Sequence, residues 1–245
     1  MEYKIEYASL PPINNYSGPH RASIIPMLST FITIDHPQWV ADLKPSERAF
    51  RYFCHPHQFS TYSEEPRTCE TCGETRPGYK GPFYGTARVE FVCEECLVAG
   101  RLAEMDVSTN IGDPKALEDQ LREIYPGLEE AEVEARTCRR TDELEHRTPR
   151  LITWQDLSWP THCGDYCRFV KEVGKPDLNE LSPDGNGRLF LGKHLLGDIY
   201  PADVGEIWER IRPDSPKDVS VAYSIGVYLF QCLECGEYAI LWDLE

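Results

Sequence analysis

Apolar positions change period several times along the 245 residues. In "YGTARVEFVC" (84–93), Ala87, Val89 and Phe91 alternate with polar neighbours, the two-residue period of a half-buried strand. From 113 to 146 the period lengthens to that of a helix. Leu117, Leu121 and Ile124 form one stripe, Pro126 interrupts it, and the stretch from Glu129 onward is strongly charged. "PADVGEIWERI" (201–211) predicts another helix, with Val204, Ile207, Trp208 and Ile211 on one side. "VSVAYSIGVYLFQCLECGEYAILWDLE" (219–245) predicts two strands flanking a turn, which is a hairpin. "KPDLNELSPDGNGRLF" (175–190) reads as a turn-rich linker. The first 47 residues combine turn signals ("PPINNYSGPH") with a β-rich run ("STFITID") and carry no chemical motif. Together these elements predict an α+β body over 48–245 behind an extension of residues 1–47 with strand content. Within the body they mark a ribbon-like unit (51–100), a helical region (113–147) and a second metal unit (148–245).

Cysteine spacing adds chemistry to this outline. Ten cysteines occur in a chain whose start, "MEYKIEY", lacks the apolar run of a signal peptide, and whose longest apolar runs fall far short of the ~20 residues a spanning helix needs. The expected compartment is therefore the cytoplasm, where paired cysteines are more often metal ligands than disulfides. Cys69 and Cys72 form one C-x2-C pair, and Cys93 and Cys96 form another. Such a turn presents two sulfurs on one side of a tight loop, and two turns complete a tetrahedral four-thiolate site. Gly73, after the first pair, permits the chain reversal.

The hairpin pair Cys232 and Cys235 needs two further ligands. Cys163 and Cys167 of "HCGDYC" are the group that can supply them, giving a second four-cysteine site that staples mid-chain to the C-terminal hairpin. His162 could replace one thiolate, but its adjacency to Cys163 would demand a different chain geometry; a hydrogen-bonding role beside the site is expected. The reading is thus two zinc ions per chain, small zinc-ribbon-like β units stapled by two four-cysteine sites, and helices between them. Four-thiolate iron for electron transfer fits the same turns and stays open. Cys54, His55 and His57 in "FCHPH" read as a strand entering a turn at Pro56 rather than a third site, and Cys138, isolated on the charged helix, stays unassigned.

Charge narrows the function. The 41 acidic and 25 basic residues leave −16, spread along the chain, which disfavours a phosphate-binding surface and favours a basic partner or simple solubility. No Walker loop, G-x-S-x-G elbow, H-E-x-x-H or dinucleotide fingerprint occurs, and closed four-cysteine sites leave no open coordination position, so an enzyme is not expected.

"FRYFCHPH", "CETCG", "GPFYG", "CEEC", "TPRLITWQDLSWPTHCGDYCRF" and "FQCLECGEYAILWD", in this order over roughly residues 50 to 245, resemble the CbrC family of bacterial proteins. The resemblance implies an immunity protein, an antitoxin that neutralises a protein toxin, with a basic nuclease domain as the expected partner; the chain's acidity and short apolar runs argue against direct contact with nucleic acid or membrane. A zinc-binding protein of other enzymatic or regulatory role is the alternative. Under the immunity reading the binding surface is expected between the shared cysteine blocks, at Glu129, Glu130, Glu132 and Glu134, and at Asp198, Tyr200, Asp203, Glu206 and Trp208.

Overall fold

One helical turn, α1 (Pro56–Phe59), leads into an antiparallel hairpin of β1 (Tyr62–Thr68) and β2 (Thr75–Lys80) in the computed structural model, which describes residues 50–197, 201–211 and 225–244. The expected strand in the first 47 residues, Asp198 and Tyr200 lie outside the described residues. After β3 (Tyr84–Gly85), β4 (Phe91–Cys93) pairs antiparallel with β2, giving the sheet order β1-β2-β4. Ala87 and Val89 precede this strand instead of belonging to it, although Val89 and Phe91 are both buried as their alternation predicts.

Then follow α2 (Glu94–Val98), a 3-10 turn at Arg101–Met105, and β5 (Val107–Ser108), which pairs with β3. The predicted helical region is a pair, α3 (Pro114–Ile124) and α4 (Glu130–Arg147), broken around Pro126 as expected. Asp113 caps α3 by accepting from the Ala116 amide at 2.9 Å, and Pro114 suits the first turn. Leu117 and Leu121 are buried, but Ile124 at the helix end is exposed.

A two-stranded ribbon, β6 (Thr161–His162) and β7 (Asp165–Tyr166), runs into β8 (Arg168–Glu172). The stretch expected to be linker instead forms α5 (Lys175–Leu181) and α6 (Gly187–His194). Its turn-forming residues are helix starts: Asp177 accepts from the Gly174 amide at 2.8 Å, and Asn186 accepts from the Leu189 amide at 3.2 Å. Next come α7 (Pro201–Arg210), where a helix is expected, and the hairpin β9 (Ile225–Gln231) and β10 (Tyr238–Leu244).

The sheet β10-β9-β8 separates two layers of core. Tyr228, Phe230 and Ala239 face an aromatic core with Phe53, Trp159 and Phe169, while Val227, Leu229 and Ile240 face Leu178, Leu191 and Ile207 of α5, α6 and α7. Burial on both faces explains why β9 reads as a continuous apolar run without alternation. The aromatic core also takes in Tyr79, Leu97, Leu117 and Leu144, so residues from the ribbon-like unit, the helical region and the second metal unit share one interior. The architecture is a mixed α+β fold with small antiparallel sheets. Among the described residues no helix is long and apolar enough to cross a membrane.

Candidate metal centres

The first centre grows from two local turns. "CETCGE" joins β1 to β2: the Cys69 amide donates to Glu74 O at 2.8 Å, the Gly73 amide donates to Cys69 O at 2.8 Å, and Gly73 takes φ +77°, a conformation that favours glycine. Cys93 ends β4 and Cys96 lies in α2, so the strand-to-helix corner supplies the second pair. Gly78 brings the pairs together. It lies opposite Cys93 in the ladder, and a Cβ there would fall 2.2 Å from Val92 O and 2.6 Å from Cys93 Cα. The four sulfurs lie within 4.8 Å of one another, largely buried.

The second hairpin repeats this turn with "CLECGE". The Cys232 amide donates to Glu237 O at 2.8 Å, the Gly236 amide donates to Cys232 O at 3.2 Å, and Gly236 has φ +74°. The facing donors, however, differ from the expected pair. His162 and Cys163, with Cys232 and Cys235, place their ligand atoms within 4.8 Å of one another. Cys167 is replaced by His162 in this set. In the β6–β7 ribbon, Cys163 and Gly164 form a two-residue turn, both with positive φ (+52° and +71°), the pattern of a type I′ hairpin. This left-handed turn lets adjacent residues 162 and 163 face one point, whereas successive residues of an extended strand would point apart. Cys167 lies beyond the ribbon's far end, its amide donating to Pro160 O at 2.9 Å, and its side chain is wholly buried in the aromatic core.

Both sets suit a tetrahedral ion. Thiolates at about 2.3 Å from such an ion stand about 3.8 Å apart, and a thiolate and an imidazole nitrogen about 3.5 Å apart. Cys72 Sγ and Cys93 Sγ are separated by 3.9 Å, and His162 Nδ1 lies 3.2 Å from Cys163 Sγ and 3.4 Å from Cys235 Sγ. Donors around one sulfur prepare it as an anion. For Cys69, burial opposes ionisation, but the Cys93 amide at 3.3 Å and the Thr71 hydroxyl at 3.0 Å outweigh it and pull the thiol down to about 6. The Glu234 amide donates to Cys232 Sγ at 3.4 Å, but burial outweighs it and raises that thiol. Burial, and then the neighbouring thiols Cys235 and Cys232, push Cys163 up to about 12. A bound divalent cation would relieve that mutual repulsion. The centres differ in access, since Cys235 is exposed while three of the four sulfurs of the first centre are buried.

Other candidates stay apart from these sets. Cys54 is buried, with burial pushing its thiol up to about 11, and Cys138 is exposed on α4. Glu129, Glu130, Glu132 and Glu134 are exposed, but Glu130 pairs with Arg122 and Glu132 with Arg136, so part of that acidity is neutralised within the chain. Asp203 and Glu206 are exposed on α7, whereas Trp208 packs against the second core beneath Lys175.

Comparison with known proteins places this sequence in a family. The model for the Uncharacterised protein family (UPF0167) matches residues 48–244. A UPF0167 protein of Mycobacterium bovis and one of Mycobacterium tuberculosis are each 29% identical over 196 residues, covering 79% of this chain and 91% of each relative. A UPF0167 protein of Pseudomonas aeruginosa is 25% identical over 206 residues, covering 80% of this chain and 96% of the relative. No solved structure matches. These matches correct the resemblance to the CbrC family, and the toxin-immunity role that came with it loses that support. Across the whole body that carries both cysteine groups, the chain belongs to the UPF0167 family.

Proposed function

We propose that this chain is a two-zinc protein in which both ions are structural, holding a scaffold together instead of performing chemistry. The observation that carries the reading is the convergence of four donor atoms within 4.8 Å of one another in each set, with the Cys72–Cys93, His162–Cys163 and His162–Cys235 separations close to the edges of a zinc tetrahedron. Sets of four thiolates, and of three thiolates with one imidazole, suit zinc, and neither set reserves a position for water or substrate. The wiring supports the same role. The first ion would tie the β1–β2 hairpin to the β4–α2 corner, and the second would tie the β6–β7 turn to the β9–β10 hairpin. In each case it would reinforce contacts that the segments already make through the β2–β4 ladder or the shared core.

Elemental analysis and native mass spectrometry of the purified chain test this reading. Two zinc ions per chain are expected, falling to one in Cys235→Ser. Stoichiometric iron, or no retained metal, would overturn it.

A further inference from the structure

The second centre depends on a left-handed turn at a cysteine, a conformation that is unfavourable for a residue with a side chain. Gln120, on α3, grips the turn from both sides. Its Nε2 donates to Thr161 O at 3.1 Å and Thr161 Oγ1 at 2.9 Å, and its Oε1 accepts from the Gly164 amide at 3.1 Å. Thr161 and Gly164 are the residues flanking His162 and Cys163, so one side chain brackets the ligand pair. The amide orientation follows from its partners, because only Nε2 can face a carbonyl and only Oε1 can face an N–H.

Arg140, on α4, completes the grip. Its Nη1 donates to Gly164 O, and its Nε lies 3.5 Å from Asp165 Oδ1. Asp165 in turn accepts from the Tyr166 amide and the Tyr52 hydroxyl, each at 2.8 Å, and pairs with Arg51. Packing fixes the same contact, since a Cβ at Gly164 would fall 3.0 Å from Leu121 Cδ2. Both backbone polar groups of Gly164, its amide and its carbonyl, are thereby met by the helix pair.

We propose that Gln120 and Arg140 are positioning residues of the second metal centre: they hold the 161–164 turn in its ligating shape without touching the metal. The proposal rests on the two-zinc reading. Partners outside a ligand set fix ligand direction, and their loss typically lowers metal affinity about 10–100-fold. Here the partners bind the residues on either side of the ligand pair, so the effect is confined to one centre, and the four-cysteine centre serves as an internal control.

The test uses the full-length chain. Wild-type metal content is measured first; fewer than two ions there would defeat the two-zinc reading before the positioning role is addressed. The loaded wild type, Gln120→Ala, Gln120→Glu and Arg140→Lys are then challenged with excess chelator, and zinc release is followed with a chromophoric indicator. Cobalt-substituted samples are compared by visible absorption. Gln120→Glu is nearly isosteric and keeps the Oε1 bond, but it places a carboxylate oxygen against Thr161 O. One equivalent is expected to leave about 10–100-fold faster in both Gln120 variants. The other should leave at the wild-type rate, and only the cobalt bands of the three-sulfur, one-nitrogen set should change. Arg140→Lys, which keeps the charge but loses the fork, should show a smaller change of the same kind. Unchanged release of both ions, or equal acceleration of both, would overturn the proposal, since the first denies the grip and the second makes it a general effect on the fold.

Discussion

Cys235 permits a measurement of what the second ion contributes to stability, because its side chain is exposed and its removal takes little from the core. Replacing it with serine opens a cross-link between Cys163 and the C-terminal hairpin that closes a loop of roughly 70 residues. The chain-entropy relation for cross-links gives about 4 kcal/mol for a loop of that size and about 3 kcal/mol for the roughly 22-residue span from Cys72 to Cys93. The first figure is a ceiling, reached if the three remaining donors release the ion. At roughly 2–4 °C per kcal/mol for a body of this length, it corresponds to a fall in Tm of about 10 °C. Thermal melts with one zinc-loaded and one chelator-treated sample of each protein make the comparison. Cys235→Ser should melt well below wild type when loaded and together with it in chelator, because both then lack the cross-link. A variant that holds only one zinc yet melts with wild type would refute the long-range staple, and a gap that persists in chelator would show that the lost interaction is packing and not metal.

Gly78→Ala should force β2 away from β4 at Cys93, so one zinc per chain is expected by elemental analysis, with the His162-containing centre still filled. Treatment with one equivalent of hydrogen peroxide should oxidise the exposed centre first. The Cys235 thiolate gains oxygen to become a sulfenic acid, Cys163 attacks it to form a disulfide with release of hydroxide, and one zinc departs; peptide mapping that finds the four-cysteine centre oxidised earlier would contradict this order. Burial lowers the pKa of His194 despite the 3.1 Å contact with Tyr238 O and the nearby Glu237. The unfolded chain then binds the extra proton, so this contribution to stability is full above pH 6.5 and is lost as pH falls below it. His194→Gln should have a shallower loss of stability below pH 6.5 than wild type, and parallel curves would refute the assignment.

Contiguous patterns carried much of the fold into view. The C-x2-C-G turns, the break at Pro126 and the amphipathic face of α7 are local, and the structure places them where their periods predict. The errors arose where one residue type serves two geometries. Pro176, Asp177, Asn186 and Gly187 suit turns, but here they start helices whose apolar faces are seen only once β9 is known to be buried on both sides. The exchange of Cys167 for His162 has the same origin. A spacing of four between cysteines suggests partnership, yet "THCGDY" carries a stronger signal, because a residue followed by glycine between short polar strands marks a two-residue hairpin. That turn determines which side chains converge, and linear spacing does not. Gln120 could not be singled out from sequence, since its role exists only when α3 lies against the ribbon.

The two ligand sets also differ in when they become available during synthesis. Cys69, Cys72, Cys93 and Cys96 leave the ribosome within 28 residues of one another, so the first centre can close while translation continues. His162 and Cys163 must wait for roughly 70 more residues before Cys232 and Cys235 follow, about 4–14 seconds at typical elongation rates of about 5–20 residues per second. During that interval the nascent chain displays a two-donor half-site, open to oxidants and to competing metals. On the two-zinc reading, the hairpin that brings Cys232 and Cys235 closes this half-site only then, so metal supply at that moment bears on whether the second centre forms.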